Sequence, residues 1–154
     1  MIFQKFLMHI IFGEDIDSTI MVSIETLDEA CGKYHFKDYS LSQAIEETFE
    51  QVLDALPKRL PNPIWNSLYF TTGKCFSFTK SERVSDSNCI IVRNAIRSYV
   101  RKRVSGELKS TVANNSDLLS LLLLNPEVFA EEDVIDELMD LLIGGTHTTQ
   151  MTTQ

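Results

Sequence analysis

Hydrophobic and polar residues alternate along most of this chain with the period of about 3.6 residues that is typical of amphipathic helices. The clearest pattern runs from residue 41 to 56, where Ser40 is a suitable N-cap and Pro57 is expected to end the helix. Its apolar stripe consists of Leu41, Ala44, Ile45, Thr48, Phe49, Val52, Leu53 and Leu56. This spacing predicts a helix with one buried face.

Similar patterns predict five further helices. They are expected at residues 2–12 (ended by Gly13), 23–35 (with Ile24, Leu27 and Cys31 on one face), 85–109, 117–124 (capped by Ser116) and 131–149. Residues 57–70 read as a loop with apolar anchors or a short helix, and residues 75–78 as a short extended piece at most. Without a strong strand pattern, the predicted fold class is all-α.

Charge and cysteine content narrow the functional classes. The net charge of −8 argues against a general nucleic-acid binder, because neutralising phosphates requires a surplus of Lys and Arg. The basic residues of segment 93–109 predict a solvated helix face or a docking face for an acidic partner or a membrane surface. Three widely spaced cysteines indicate reduced thiols in an intracellular protein and no zinc site. The apolar run 118–124 is too short to span a bilayer.

The last predicted helix changes character at its end, where Gly144 and Gly145 are followed by Thr146, His147, Thr148 and Thr149. Each glycine costs about 1 kcal/mol relative to alanine in a helix interior. A threonine hydroxyl can also bond back to the carbonyl four residues earlier, and Gly144 stands at that position relative to Thr148. The combination predicts a locally opened helix that suits a small molecule beside a proton donor.

This segment resembles the oxygen-activating distal helix of cytochrome P450 enzymes. That family has a small residue, Gly, any residue, an acid, Thr, and Thr or Ser there, which corresponds to residues 144–149. His147 departs from the usual acid, as it does in the family's sterol 14-demethylases. The departure puts the usual acid–alcohol proton relay in question.

The resemblance extends through most of the chain. Asp117-Leu-Leu-Ser-Leu-Leu, a short loop, an acidic helix start and the Gly-Gly-Thr signature follow the family's order. Ile10-Ile-Phe-Gly-Glu-Asp15 resembles a helix ending of the family, and residues 57–84 resemble its substrate-access region. The expected organisation is one partial P450 domain over 1–154. Helices and the access region fill 1–116, and a helix pair ending in the oxygen-activating motif fills 117–154.

The resemblance implies a haem-dependent monooxygenase that inserts one atom of O₂ into a small apolar substrate, with electrons from a redox partner such as a P450 reductase. It assigns catalytic roles to Thr148, as proton donor to oxygen, and His147, as its link to solvent. Gly144, Gly145 and Thr149 would lie on the haem and oxygen side, and Leu141 or Leu142 would contact substrate. Attachment to the endoplasmic reticulum membrane is expected only if the full-length enzyme is eukaryotic.

The residues that hold haem in this family have no counterpart here. Its axial cysteine follows a Phe-x-x-Gly loop, seven residues after the Phe, and its thiolate favours O–O cleavage. In Phe70-Thr-Thr-Gly73-Lys-Cys75 the cysteine comes five residues after the Phe and precedes the distal helix. The Glu-x-x-Arg pair is also expected after residue 154. We therefore expect a truncated piece that ends inside a helix, contains no metal ligand, and exposes the stripe Val134, Leu138, Leu141 and Leu142.

Other residue types give weaker signals. His9 and His35 lack a ligand partner at helical spacing, so surface or core positions are expected. Glu46 and Glu47 are adjacent on a helix and cannot share a substrate. The alternative function is a non-enzymatic interaction domain that binds a protein partner through helices 41–56 and 85–109.

Overall fold

The computed structural model describes residues 2–13, 16, 19–72, 76–108, 117–125 and 127–153, without the side chains of 2–5, 65, 70 and 146–153. Over these residues the chain forms six helices and two strands. In order they are α1 (Ile2–Phe12), β1 (Met21–Asp28), β2 (Lys33–Ser40), α2 (Leu41–Arg59), α3 (Pro63–Thr72), α4 (Lys80–Val104), α5 (Leu118–Leu123) and α6 (Glu131–Thr153).

The antiparallel hairpin of β1 and β2 shows that the predicted all-α class is wrong. The segment expected to be a helix at 23–35 is β1 and the start of β2. Val22, Ile24 and Thr26 are buried at every second position, which is the period of a strand with one covered face. Gly32, with φ of 65°, allows the turn between the strands because it lacks a Cβ.

Helix boundaries around the expected access region also differ from the predictions. Pro57 lies in the last turn of α2, which continues to Arg59. Pro63 is the first residue of α3, a position that suits a residue without an amide hydrogen. Of the two predictions for residues 57–70, a loop or a short helix, the short helix is confirmed. α4 begins at residue 80 rather than 85, because Thr79 and Glu82 form a capping box. Residues 57–84 therefore contain mostly helix.

Asp117, not Ser116, is the N-cap of α5. Its carboxylate accepts a hydrogen bond of 2.9 Å from the Ser120 amide. Ser116 lies outside the described residues, as does Cys75, and residues 76–78 form no strand. Gly13 ends α1 as predicted, with φ of 77° and an amide that donates to the His9 carbonyl at 2.9 Å.

Among the described side chains, one hydrophobic core joins the hairpin to all the helices except α3. Its buried members are Met8, Ile11, Phe12, Ile16, Val22, Ile24, Leu41, Ala44, Ile45, Val92, Ile96, Tyr99, Val100, Leu119, Val134, Ile135, Leu138 and Leu142. The α6 stripe of Val134, Leu138, Leu141 and Leu142 was expected to be exposed. Three of these residues are instead buried by other elements of this chain, and of the four only Leu141 is exposed. The expectation was wrong because α1, α2, α4 and α5 all pack against α6.

Asn88, fully buried on α4, fixes the hairpin to the helices. Its side chain accepts from the Glu25 amide at 3.0 Å and donates to the Glu25 carbonyl at 2.7 Å. It also donates to Gln51 of α2 at 2.8 Å. Because β1 is thus held by both α2 and α4, the hairpin belongs to the same packed unit as α6.

Candidate functional site

The amino-terminal half of α6 is held against α4 by a ladder of ion pairs. Arg97 Nη2 lies 2.9 Å from a Glu132 carboxylate oxygen, and Arg93 pairs with both Glu132 and Asp136. Arg101 Nε donates to Glu131 at 2.7 Å. Hydrogen bonds from Arg97 and Arg93 lower the pKa of Glu132 to about 2, so its carboxylate stays charged through most of the acid range.

These pairs change the interpretation of the basic segment 93–109. Arg93, Arg97 and Arg101 each contact an acidic residue of α6, and Arg103 pairs with Asp117. Their charge is largely neutralised inside the chain. Lys102 of the same segment is exposed.

Beyond this ladder, α6 has one covered and one open face. Val134, Ile135, Leu138 and Leu142 are buried, whereas Asp136, Glu137, Asp140, Leu141 and Gly144 are exposed. The open face changes from acidic to apolar and small along the helix, ending in Leu141 and Gly144. Leu142 belongs to the core, so of the two residues proposed to contact substrate only Leu141 lies on the open face.

The two glycines of the motif have different surroundings. Apart from the adjacent residues and the nearby backbone of α6 itself, no described heavy atom lies within 4 Å of the position that a Cβ on Gly144 would take. A Cβ on Gly145 would lie 2.6 Å from Leu7 Cδ2 of α1. Gly145 therefore allows close packing between α6 and α1, and Gly144 leaves space on the open face.

The remaining predicted site residues follow in the same helix, which continues unbroken to residue 153. The side chains of Thr146 to Thr149 lie outside the described part of the chain, and with them the predicted bond from Thr148 to the Gly144 carbonyl. Within α6, position 148 comes about one helical turn after Gly144, and position 149 about one turn after Gly145.

Alanine substitutions should separate the two glycines. Gly144→Ala is expected to stabilise the chain by about 1 kcal/mol, because it removes the helix cost of glycine without a clash. Gly145→Ala should gain less, because the Leu7 side chain must move. Urea unfolding of both variants tests this, and a Gly145→Ala variant at least as stable as Gly144→Ala would contradict the described packing.

A haem-thiolate site requires an axial cysteine, and neither described cysteine follows a Phe-x-x-Gly loop. Cys31 lies exposed on the hairpin turn, where its thiol donates to Asp28 at 3.2 Å. Cys89 is on α4, and burial raises the pKa of its thiol, so the sulfur keeps its proton at neutral pH. His9 on α1 and His35 on β2 are also exposed.

The described residues include no group of three or more His, Cys, Asp or Glu side chains placed to hold a metal ion. Within the same ranges, no helix combines the length and hydrophobicity needed to cross a membrane.

Sequence reasoning missed one feature near the start of α6, a buried ion pair between α4 and α5. Arg103 Nη2 lies 3.0 Å from both carboxylate oxygens of Asp117 and donates to the Ser120 hydroxyl at 3.0 Å. The side chains of Arg103 and Asp117 are 4% and 0% exposed. Nothing in the local sequence singles out Arg103 among the neighbouring basic residues, so this pairing required the fold.

No protein-family profile, curated protein or solved structure matches this chain. The resemblance to cytochrome P450 enzymes therefore rests on the residues quoted above.

Proposed function

We propose that this chain forms the oxygen-side wall of a haem-thiolate monooxygenase of the cytochrome P450 type. The observation that carries the proposal is the open face at Gly144. A long helix, buried along its other side, there presents a position without a side chain, where an added Cβ would touch no described side chain. A flat cofactor and a diatomic molecule can approach a helix backbone most closely at such a position.

The order of elements supports the same proposal. The long helices α2 and α4 are separated by α3, which exposes the apolar side chains of Ile64 and Tyr69. Such exposed apolar side chains would suit a substrate-access region, because an apolar substrate could contact them on its way to the site. Leu141 on the open face of α6 would contact the substrate one turn before the oxygen site.

When bound, haem would supply the redox chemistry that activates O₂ and inserts one atom into a C–H bond. The residues of this chain would position the reactants and move protons. Gly144 leaves room for the oxygen molecule, and Thr148 Oγ donates a hydrogen bond to it and passes on a proton. Gly145 allows α6 to pack closely against α1, and Thr149 comes about one helical turn after it.

His147 would connect Thr148 to solvent. Histidine is the residue type that most readily both gives and takes protons at neutral pH. Position 147 comes three residues after Gly144 in α6. This assignment replaces the acid of the usual motif with a group that keeps a proton available.

Sequencing the transcript beyond the codons for residue 154 tests the proposal without a functional assay. The expected result is an open frame that encodes a Glu-x-x-Arg pair and, after it, a Phe-x-x-Gly loop with a cysteine seven residues after the Phe. A stop codon with neither motif in the following sequence would contradict the proposal. That result would favour the alternative, a helical domain that binds a protein partner.

A further inference from the structure

The two edges of the β1–β2 hairpin have different surroundings. Asn88 of α4 covers the edge of β1, since its side chain accepts from the Glu25 amide and donates to the Glu25 carbonyl. These two backbone groups therefore point away from β2. Glu25 lies opposite Phe36 in the hairpin. Opposite residues of an antiparallel pair either exchange both hydrogen bonds or exchange none, so the backbone groups of Phe36 also point outward, away from β1.

The edge of β2 is open within the part of the chain that the structure describes. Because the direction of backbone groups alternates along a strand, those of Tyr34 and Asp38 point to the same side as those of Phe36. Phe36 and Asp38 are exposed, and no described residue outside the hairpin bonds to the backbone of these three residues. The next amide of this row, that of Ser40, donates to the Gln43 side chain at 3.3 Å. An open row of this kind can bind a further strand through main-chain hydrogen bonds.

The side chains of β2 determine which strand fits this edge. Tyr34 and Phe36 lie on one face of the hairpin, and Phe36 is 65% exposed. Lys33, His35 and Lys37 lie on the other face and are all exposed. Residues directly opposite each other in neighbouring strands interact. An added strand should therefore carry apolar residues on the aromatic face and acidic residues on the basic face.

The same basic row disfavours a second copy of this chain as the added strand. Two-fold pairing of two β2 strands centred on Phe36 would place Lys37 of one copy opposite His35 of the other, and no acidic residue opposite Lys33. Centring the pair on Asp38 would place two carboxylates opposite each other. Lysine residues on an edge strand are a common means of preventing such self-pairing.

We infer that β2 binds an extended segment of a protein partner as a third strand, in which acidic residues alternate with apolar ones. The pairing is antiparallel, the arrangement that is slightly more stable per residue. Acidic side chains of the partner lie beside Lys33, His35 and Lys37, and an apolar side chain covers Phe36. The inference does not depend on the proposed monooxygenase function, because the hairpin contains none of the residues assigned to the oxygen site.

Amide hydrogen exchange of the chain, followed by NMR, tests the open edge. In the free chain the amides of Phe36 and Asp38 should exchange faster than those of His35 and Lys37, which bond to β1. The probe is the peptide acetyl-Thr-Glu-Val-Glu-Val-Glu-amide, whose first residue would lie opposite Asp38 and whose last would lie opposite Lys33. Saturating peptide should slow exchange at Phe36 and Asp38.

Modified peptides provide matched controls for the backbone pairing. Methylation of the two valine amide nitrogens removes donors that face β2, and should weaken binding by at least about tenfold. Methylation of the first two glutamate amide nitrogens alters groups that face away from β2, and should change the affinity by less than about twofold. Replacement of the three glutamates by lysine should weaken binding by about tenfold, because attraction becomes repulsion.

One charge reversal in the chain tests the basic row. Lys37→Glu should weaken binding of the glutamate peptide about fivefold and strengthen binding of the lysine peptide, because the exposed Lys37 side chain faces the added strand. Lys102→Glu makes the same change in net charge at an exposed position of α4, and should change neither affinity.

Three results would overturn the inference. Slow exchange of the Phe36 amide in the free chain would mean that the chain itself or a second copy already covers the edge. Equal binding of the glutamate and lysine peptides, or of the two methylated peptides, would mean that charge or backbone pairing plays no part. Unchanged exchange at Phe36 and Asp38 under excess peptide would mean that β2 accepts no such strand.

Discussion

Thr148→Val in the full-length protein should lower productive oxygen insertion by about 10²–10⁴-fold, the usual range for loss of a general acid or base. Valine keeps the shape of threonine and removes only the hydroxyl. Haem and substrate binding should therefore persist, while reducing equivalents are diverted to hydrogen peroxide. Product formation, peroxide yield and substrate affinity, measured on the same preparation, test this.

Thr149→Val is the matched control, because position 149 comes about one helical turn after Gly145, whereas position 148 comes about one turn after Gly144. It should change the peroxide yield little. Equal uncoupling by both variants would place the proton donor one residue away from our assignment. Unchanged peroxide yield in both would remove the relay role from this motif.

The largest stability effect is expected at the buried ion pair. Arg103→Met should destabilise the chain by about 3–5 kcal/mol, because it leaves the fully buried Asp117 carboxylate without its counter-charge. Unfolding by urea, followed by far-ultraviolet circular dichroism, measures the difference.

Arg101→Met is the control for removing an arginine from the same helix. Arg101 is 63% exposed, and its pair with Glu131 should contribute at most about 1 kcal/mol. Combining Arg103→Met with Asp117→Asn should recover part of the loss, since asparagine still caps α5 and carries no charge. Equal losses for Arg101→Met and Arg103→Met would contradict the described burial.

Most helices could be predicted from the sequence, because the spacing of apolar residues and the capping residues that define a helix lie within the helix or next to it. Leu41, Ala44, Ile45 and Thr48 mark the buried face of α2, and Gly13 marks the end of α1. The hairpin was missed because Ile24, Leu27 and Cys31 also fit a helical spacing. A tertiary contact favours the strand over the helix. Asn88, more than sixty positions later in the chain, forms hydrogen bonds with both backbone groups of Glu25.

The candidate site was predictable only as a motif. The residues 144–149 could be picked out from the unusual placement of two glycines within a helical pattern. Which glycine faces α1 and which faces open space depends on Leu7, at the other end of the chain, so no local pattern could assign it. The buried pair of Arg103 and Asp117 could not be predicted for the same reason, since it needs α4 and α5 to meet.

The reduced, CO-bound absorption spectrum tests the central claim most directly. It should be recorded on the protein expressed from the whole reading frame and, separately, on residues 1–154 mixed with hemin. We predict a stoichiometric thiolate-type Soret band for the whole product and none for residues 1–154, whose described part offers no thiolate at α6. Absence of the band from the whole product, or its presence with residues 1–154 alone, would contradict the account.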